Sequence, residues 1–182
     1  MAQTWHSRRR AERPARRPLD ERSLEERAIA YVGRYATTRA RLADYLQRKL
    51  TERGWAGTAP PAIDALVTRL AGLGYVDDER FAVARASALR RRGYGSRRVE
   101  AALRAAGIEQ SLRATASESD DDERLRAALA LARRRRLGPF ASQPLDRDEF
   151  RRAMGAMLRA GHELEIARRA LTMAADEAEG LL

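Results

Sequence analysis

The chain has 182 residues and a formal net charge of +10; 44% of its residues are apolar, chiefly alanine and leucine, and 5% are aromatic. This composition favours close-packed helices over a β-sandwich, and the positive charge favours polyanionic partners and binding that weakens with salt. The lack of cysteine excludes disulfides, thiolate metal sites and a cysteine nucleophile, and no run approaches the ~20 apolar residues that a membrane span requires.

Residues 1–22 are polar and rich in arginine, with prolines at Pro14 and Pro18. This pattern predicts a disordered basic arm, which either holds nucleic acid or only keeps the chain soluble. Order is expected to begin at Ser23, because Ser23 and Glu26 have the spacing of a capping box.

The rest of the chain is predicted to form helices that end in one recurring kind of stop. The stop consists of a large apolar residue, three further residues, a glycine and then an aromatic or apolar residue. This pattern is typical of a helix that ends with glycine in the left-handed conformation. Asp77 and Ser96 are the predicted N-caps of the two central helices. The stops begin at Leu50, Leu70, Leu89, Leu103 and Met157.

Apolar and turn positions repeat along the chain. A shift of 57 pairs Leu46 with Leu103, and a shift of 68 pairs Leu103 with Leu171. We therefore predict an all-α fold of tandem three-helix repeats in an extended, curved molecule. Ile166 lies one place before the position that Val99 predicts, which leaves the register of the last repeat open. The predicted division is a disordered arm at 1–22 and repeats at 23–58, 59–108 and 109–182, the last with an acidic linker and tail.

No constellation of acid, base, nucleophile or metal ligands can be assembled from the sequence. The start of a helix accounts for Asp77, Asp78 and Glu79, and His162 follows a capping glycine, where a structural role is expected. No glycine-rich phosphate loop is present. We therefore expect a protein that is not an enzyme and has no cofactor, no metal and no small-molecule ligand.

The arginines suggest a contact surface. Arg97 and Arg98 lie in the first turn of a predicted helix, where the helix dipole opposes cations by roughly 0.3–1 kcal/mol each. At 100° per residue, Arg97 and Arg104 point away from the apolar stripe of that helix. A solvated face remains the alternative, and placement at a helix end also explains the four consecutive arginines at 133–136. The predicted surface consists of Arg91, Arg92, Tyr94, Arg97, Arg98, Arg104, Arg133, Arg134, Arg135 and Arg136.

Two segments, GYVDDERFA at 74–82 and GYGSRRVEAAL at 93–103, resemble the central signature of the RecX family of bacterial regulators of the RecA recombinase. Weaker likeness extends over roughly residues 24–171. The resemblance implies a chain of three-helix repeats that binds the groove of the RecA filament on single-stranded DNA. Its expected effect is to lower ATP hydrolysis, strand exchange and co-protease function in DNA recombination, DNA repair and the SOS response. The N-terminus also lacks the apolar core of a signal peptide, so a cytoplasmic protein is expected.

The alternative function is a free-standing helix-turn-helix protein that binds duplex DNA. Residues 96–106 would then form the recognition helix. That helix has arginines at its start but no Asn or Gln to read adenine, and its turn uses the same stop as the other turns.

Overall fold

The computed structural model describes residues 17–182, which form ten α-helices and one short 3₁₀ turn at Gly138–Phe140. Extended backbone pairs at one place in this range, a single bridge between Leu19 and Trp55. The prediction of an all-α fold is therefore confirmed. No helix in residues 17–182 combines the length and the apolar character that a membrane crossing needs. The larger part of the predicted arm, residues 1–16, lies outside the described residues.

The first helix begins earlier than predicted. Helix α1 spans Glu21–Arg34, and its N-cap is Asp20, whose carboxylate accepts the backbone N–H of Ser23 at 2.8 Å. The Ser23 hydroxyl accepts the backbone N–H of Asp20 at 2.9 Å in return. Ahead of the cap, Leu19 is fully buried and its backbone bonds to the loop around Trp55. The assignment of residues 17–22 to a disordered arm is therefore wrong, because burial of Leu19 holds this segment in place.

Helix α1 packs with α2 (Arg39–Arg53) and α3 (Ile63–Gly72). Their apolar stripes, together with Leu19 and Val76, enclose one set of buried side chains, which we call the first core. The first core consists of Leu19, Leu24, Ala28, Leu42, Leu46, Leu50, Leu66, Val67, Leu70 and Val76.

Helices α4 (Asp78–Arg91), α5 (Ser96–Arg104) and α6 (Gln110–Ser117) follow. Asp77 caps α4 as predicted, since its carboxylate accepts the backbone N–H of Arg80 at 2.9 Å. The three helices enclose the central core, whose buried members are Ala82, Ala86, Leu89, Val99, Leu103, Ala106, Ile108 and Ala116.

The remaining helices are α7 (Asp121–Arg135), α8 (Arg147–Arg159), α9 (Leu164–Thr172) and α10 (Ala175–Gly180). They share the C-terminal core, which comprises Leu125, Ala128, Leu129, Leu131, Ala132, Ala153, Met157, Ala160, Ile166, Ala167, Ala170, Leu171 and Ala178. Each of the three cores is built from a continuous stretch of chain, as a tandem arrangement requires. The cores group α3 with α1 and α2, and α6 with α4 and α5. The boundaries 23–58, 59–108 and 109–182 stay a prediction.

The bounds of the helices agree with the shifts that the sequence predicts. Helices α1 and α4 have 14 residues each and differ by 57 at both ends, and α5 and α9 have nine residues each and differ by 68 at both ends. Ala167, which is fully buried, therefore occupies the place of Val99, and this settles the register of the last repeat. Neither the shift of 57 nor the shift of 68 brings α7 onto another helix with matching bounds.

Four of the five predicted stops are confirmed. Their glycines have φ between 72° and 93°, and the residue after each glycine donates its N–H to the carbonyl of the apolar residue at 3.0–3.2 Å. The stop at Leu50 differs, because Gly54 has φ 80° and ψ 173° and leads the chain into the bridge with Leu19. The glycines of the four confirmed stops are Gly74, Gly93, Gly107 and Gly161.

Three of these glycines also bring neighbouring cores into contact. A Cβ at Gly161 would collide with the backbone of Arg98, one at Gly93 would collide with the backbone of α7, and one at Gly107 would collide with the side chain of Ala40. A Cβ at Gly74 would meet nothing within 4 Å. Gly93, Gly107 and Gly161 are therefore required for two reasons, their positive φ and the close approach of a neighbouring helix.

Replacement of Gly161 by alanine is expected to destabilise the protein more than the same change at Gly74. Both variants place alanine in the left-handed region, which costs about 1–2 kcal/mol. Only Gly161→Ala also forces α8 away from α5, for which we expect a further loss of about 1–3 kcal/mol. Urea unfolding of the two variants beside the parent measures the difference. Equal losses would contradict a close contact at this junction.

Candidate interaction surface

The start of α5 and the end of α8 meet at a junction between the central and C-terminal cores. The backbone N–H of Gly95 donates to the carbonyl of Ala160 at 3.0 Å, and that of Arg97 donates to the carbonyl of Gly161 at 3.2 Å. The first N–H groups and the last C=O groups of any helix lack partners within the helix. Here the end of α8 supplies acceptors for the start of α5.

This arrangement replaces the predicted cap of α5. Ser96 is the first helical residue rather than the cap, and Gly95 holds the N-cap position with no side-chain hydrogen bond. The prediction that Ser96 caps α5 is therefore wrong, because the helix begins at Ser96 itself and the carbonyl of Gly161 binds the N–H of Arg97, which the side chain of an N-cap would otherwise serve. The carbonyl end of α8 also carries a partial negative charge, which offsets the repulsion between Arg97, Arg98 and the positive end of α5.

A buried histidine completes the junction. His162 is 2% exposed, and its Nε2 atom lies 3.0 Å from the carbonyl oxygen of Gly93. Burial lowers the pKa of His162, and the bond to Gly93, which acts in the opposite direction, does not overcome it. The neutral ring therefore donates to this carbonyl and ties α8 to the turn after α4, which is the structural role that the sequence predicts. The depression beside the ring is also lined by four charged residues, Arg90, Glu123, Arg124 and Glu163.

Four of the ten predicted contact residues come together around Tyr94. The guanidinium carbons of Arg92 and Arg98 lie 5.9 Å and 6.0 Å from the centroid of the Tyr94 ring. Arg134 donates to the backbone carbonyl of Arg92 at 2.6 Å. The ring packs against both the central and the C-terminal cores, so it is held in place from two sides. We call Arg92, Tyr94, Arg98 and Arg134 the Tyr94 cluster.

The other six predicted residues divide into separate groups. Arg97 is exposed beside the cluster. Arg91 bonds to Ser87 at 2.7 Å in another depression, which Arg126 also lines. Arg104 pairs with Glu100 at 2.5 Å and Arg133 with Glu179 at 3.1 Å, whereas Arg135 and Arg136 are exposed at the end of α7. The ten residues remain a predicted surface, and within it the structure groups the four of the Tyr94 cluster by direct contact.

The positive charge of the Tyr94 cluster is not taken up in ion pairs among the described residues. Within residues 17–182, none of its three arginines forms an ion pair with an acidic side chain. A guanidinium group keeps its charge at all accessible pH values and can bind phosphate or carboxylate through two parallel N–H groups. Residues 17–182 bring together no group of three or more His, Asp or Glu side chains that could hold a metal ion. Three guanidinium groups in one cluster are suited to binding an anion.

The residues that join the first and central cores were not predicted from the sequence. The hydroxyl of Thr38 is buried and donates to the carbonyl of Ala106 at 2.6 Å, and the backbone N–H of Arg39 donates to Asp78 at 2.9 Å. Thr38 also caps α2, and threonine is a residue type that N-cap positions favour, which was the available signal.

The contact among three tyrosine rings in the first part of the chain was not predicted from the sequence either. The rings of Tyr31 and Tyr45 stack with centroids 4.1 Å apart and an interplanar angle of 14°, and the ring of Tyr35 lies 5.3 Å from that of Tyr31. The spacing of Tyr31 and Tyr35, four residues apart, predicts neighbouring side chains on a helix, but the partner on α2 cannot be found from spacing within one helix.

Comparison with known proteins gives consistent matches. Residues 77–116 match the family model described as RecX, second three-helix domain. The Regulatory protein RecX of Myxococcus xanthus (strain DK1622) is 34% identical over 174 residues, which cover 88% of this chain and 91% of that protein. The Regulatory protein RecX of Mycobacterium sp. (strain KMS) is 34% identical over 158 residues, with 82% of each chain covered.

A solved structure also matches. The crystal structure of RecX from Lactobacillus salivarius superposes with a TM-score of 0.69 over 86% of this chain and 96% of that chain, at 18% sequence identity. The likeness shows the same fold and confirms the predicted arrangement of tandem three-helix repeats.

We expect His162 to make the free energy of unfolding depend on pH, between the ordinary histidine pKa and the lower pKa of the folded protein. Its pKa is lowered in the folded protein, so the unfolded state binds a proton more readily. The contribution of the neutral ring is fully present above the ordinary histidine pKa of about 6.5 and is lost as the pH falls below it towards the lower, folded pKa. In His162→Gln, the amide can still donate to Gly93 but does not titrate.

We expect the parent protein to lose more stability than His162→Gln between about pH 7.5 and pH 5.5. Urea unfolding of both proteins at the two pH values tests this. The same loss in both would show that His162 is not the titrating group.

Proposed function

The chain belongs to the RecX family of regulatory proteins, and on that basis we propose that it regulates the RecA recombinase. In this proposal it lies along the RecA filament on single-stranded DNA, bridges adjacent subunits and DNA phosphates, and lowers ATP hydrolysis, strand exchange and co-protease function. It acts in DNA repair and the SOS response in the cytoplasm, as a binding protein and not as an enzyme.

The observation that carries the proposal is the Tyr94 cluster. Its three arginines come from the end of α4, the start of α5 and the end of α7, and no acidic side chain among residues 17–182 pairs with them. Two of these arginines lie over the Tyr94 ring and the third bonds to the backbone of Arg92, a convergence that a solvated face does not require. Exposed guanidinium groups beside a packed ring are suited to binding DNA phosphates or carboxylates of a filament subunit.

The tandem arrangement supports binding to a polymer. Each core presents a surface, and the short connections between cores keep those surfaces at fixed separations. Several weak contacts at fixed separations reinforce one another on a repeating partner. A helical filament of protein on DNA is such a partner.

The contacts of α5 argue against the alternative, a free-standing helix-turn-helix protein. In that motif the first residues of the recognition helix reach the base edges in the major groove. Here the N–H groups of Gly95 and Arg97 bind the end of α8, and Gly161 lies against the backbone of Arg98. The backbone at the start of α5 is therefore covered by the C-terminal part of the chain, whereas the side chains of Arg97 and Arg98 are exposed.

The proposal is tested by adding the purified protein to preformed RecA filaments on single-stranded DNA and following ATP hydrolysis at fixed salt. We expect the parent to lower hydrolysis and Arg97→Glu, Arg98→Glu to lower it far less, because the two changes reverse charge beside and within the Tyr94 cluster. Removal of a charge-assisted hydrogen bond weakens binding by roughly 1–3 kcal/mol, so about tenfold more variant should be needed for the same effect.

The matched control is Arg168→Glu, Arg169→Glu, which makes the same change of charge at two exposed arginines of α9. It should act like the parent, and thermal unfolding should show that both variants fold. If the control loses inhibition as strongly as the first variant, net charge and not the Tyr94 cluster is responsible. If the parent leaves hydrolysis unchanged, the proposed regulation of RecA is wrong.

A further inference from the structure

A row of aromatic rings crosses the surface of the first core. Tyr45 on α2 stacks on Tyr31 of α1, and Tyr31 contacts the ring of Tyr35, which follows the last residue of α1. The centroid distances, 4.1 Å and 5.3 Å, are those of rings in direct contact. We call these three residues the tyrosine ridge.

Each end of the ridge carries a cation. The guanidinium carbon of Arg34 lies 5.5 Å from the centroid of Tyr35, and the Nζ atom of Lys49 lies 5.7 Å from the centroid of Tyr45. Lys49 also pairs with Glu52 at 2.6 Å, an exposed contact of the kind that contributes little. Arg34 forms no ion pair within residues 17–182. One end of the ridge therefore has a cation available for a partner.

Packing of the first core explains only part of the ridge. Tyr31 and Tyr45 are half-buried against the first core, so their rings have a structural role. Tyr35 is 50% exposed and does not belong to that core. Its contacts are a neighbouring ring and a guanidinium group, which extend the ridge outwards into solvent.

We propose that the tyrosine ridge is a binding site for single-stranded nucleic acid, where an unpaired base stacks on Tyr35 and a backbone phosphate meets Arg34. Aromatic rings interleaved with cations are the recurring means by which proteins hold unpaired strands without reading their sequence. A duplex does not offer its base faces to such rings, so the site selects single strands.

The ridge is separate from the Tyr94 cluster. Tyr31 and Tyr45 of the ridge pack on the first core, whereas the Tyr94 cluster lies between the central and C-terminal cores. The inference takes single-stranded DNA as the ligand from the proposed function, and on that basis it adds a second contact with different chemistry. Stacking at the ridge would hold bases, whereas the arginines of the Tyr94 cluster would hold phosphates.

The test uses the full chain and a fluorescent oligothymidylate, with no recombinase present, and measures binding by anisotropy. Tyr35→Ser should bind the single strand about 5- to 100-fold more weakly, in line with the loss of one stacked base. Tyr35→Phe keeps the ring and should bind within about twofold of the parent. The salt dependence of binding should be the same for Tyr35→Ser and the parent, because the serine change removes no phosphate contact.

Tyr75→Ser is the matched control, since Tyr75 is 56% exposed and lies in the turn before α4, outside the ridge. It should bind as the parent does, and none of the variants should alter binding to a duplex of the same length. Crosslinking of an oligonucleotide that contains 5-iodouracil to the unaltered protein gives a second readout. The crosslink should map to the peptide that contains Tyr35.

The inference is overturned if Tyr35→Ser binds the oligothymidylate as tightly as the parent, or if it weakens binding to RecA alone and not to DNA, which would make the ridge a protein contact. These results are distinct from failure of the proposed function. Loss of strand binding in Tyr35→Ser with no effect of the parent on ATP hydrolysis would keep the ridge and remove the regulation of RecA.

Discussion

The rest of the structure depends on how four of its helices, α3, α4, α5 and α8, end. Glycine in the left-handed conformation turns the chain back within two residues and lets the next N–H bond to a carbonyl of the last turn. At Gly93, Gly107 and Gly161 the missing side chain also allows a neighbouring helix to approach closely. The same residue thus ends a helix and joins two cores. Tandem helices can then pack closely without long connections.

The junction at α5 explains how cations can occupy the start of a helix. The carbonyl end of α8 lies against the N–H end of α5, so the two helices meet with opposite partial charges. Arg97 and Arg98 therefore occupy a position that the helix alone would disfavour but the neighbouring helix makes tolerable. Packing of Tyr94 against two cores then fixes where the charges lie. In this way the fold stabilises the basic surface on which the proposed regulation depends.

The two surfaces differ in what they can hold. The Tyr94 cluster offers guanidinium groups around a ring that is packed between two cores. The tyrosine ridge offers ring faces, with Tyr35 half exposed. Both sit beside a junction between cores, since Thr38, three residues after Tyr35, bonds to the carbonyl of Ala106. A change in the angle at either junction would therefore alter the spacing of the two surfaces.

Local patterns in the sequence determined the helices, four of the five predicted stops and the repeat shifts of 57 and 68, because these depend on periodicity and on the φ that glycine allows. The family signature lies in the same local patterns. Only the tertiary structure decided that Asp20 and not Ser23 caps α1, since buried Leu19 holds the chain there. It alone also decided that α8 replaces Ser96 as the cap of α5, and that four of ten predicted residues meet at Tyr94. These features join residues dozens of positions apart, and no pattern within one helix carries information about which neighbour it will meet.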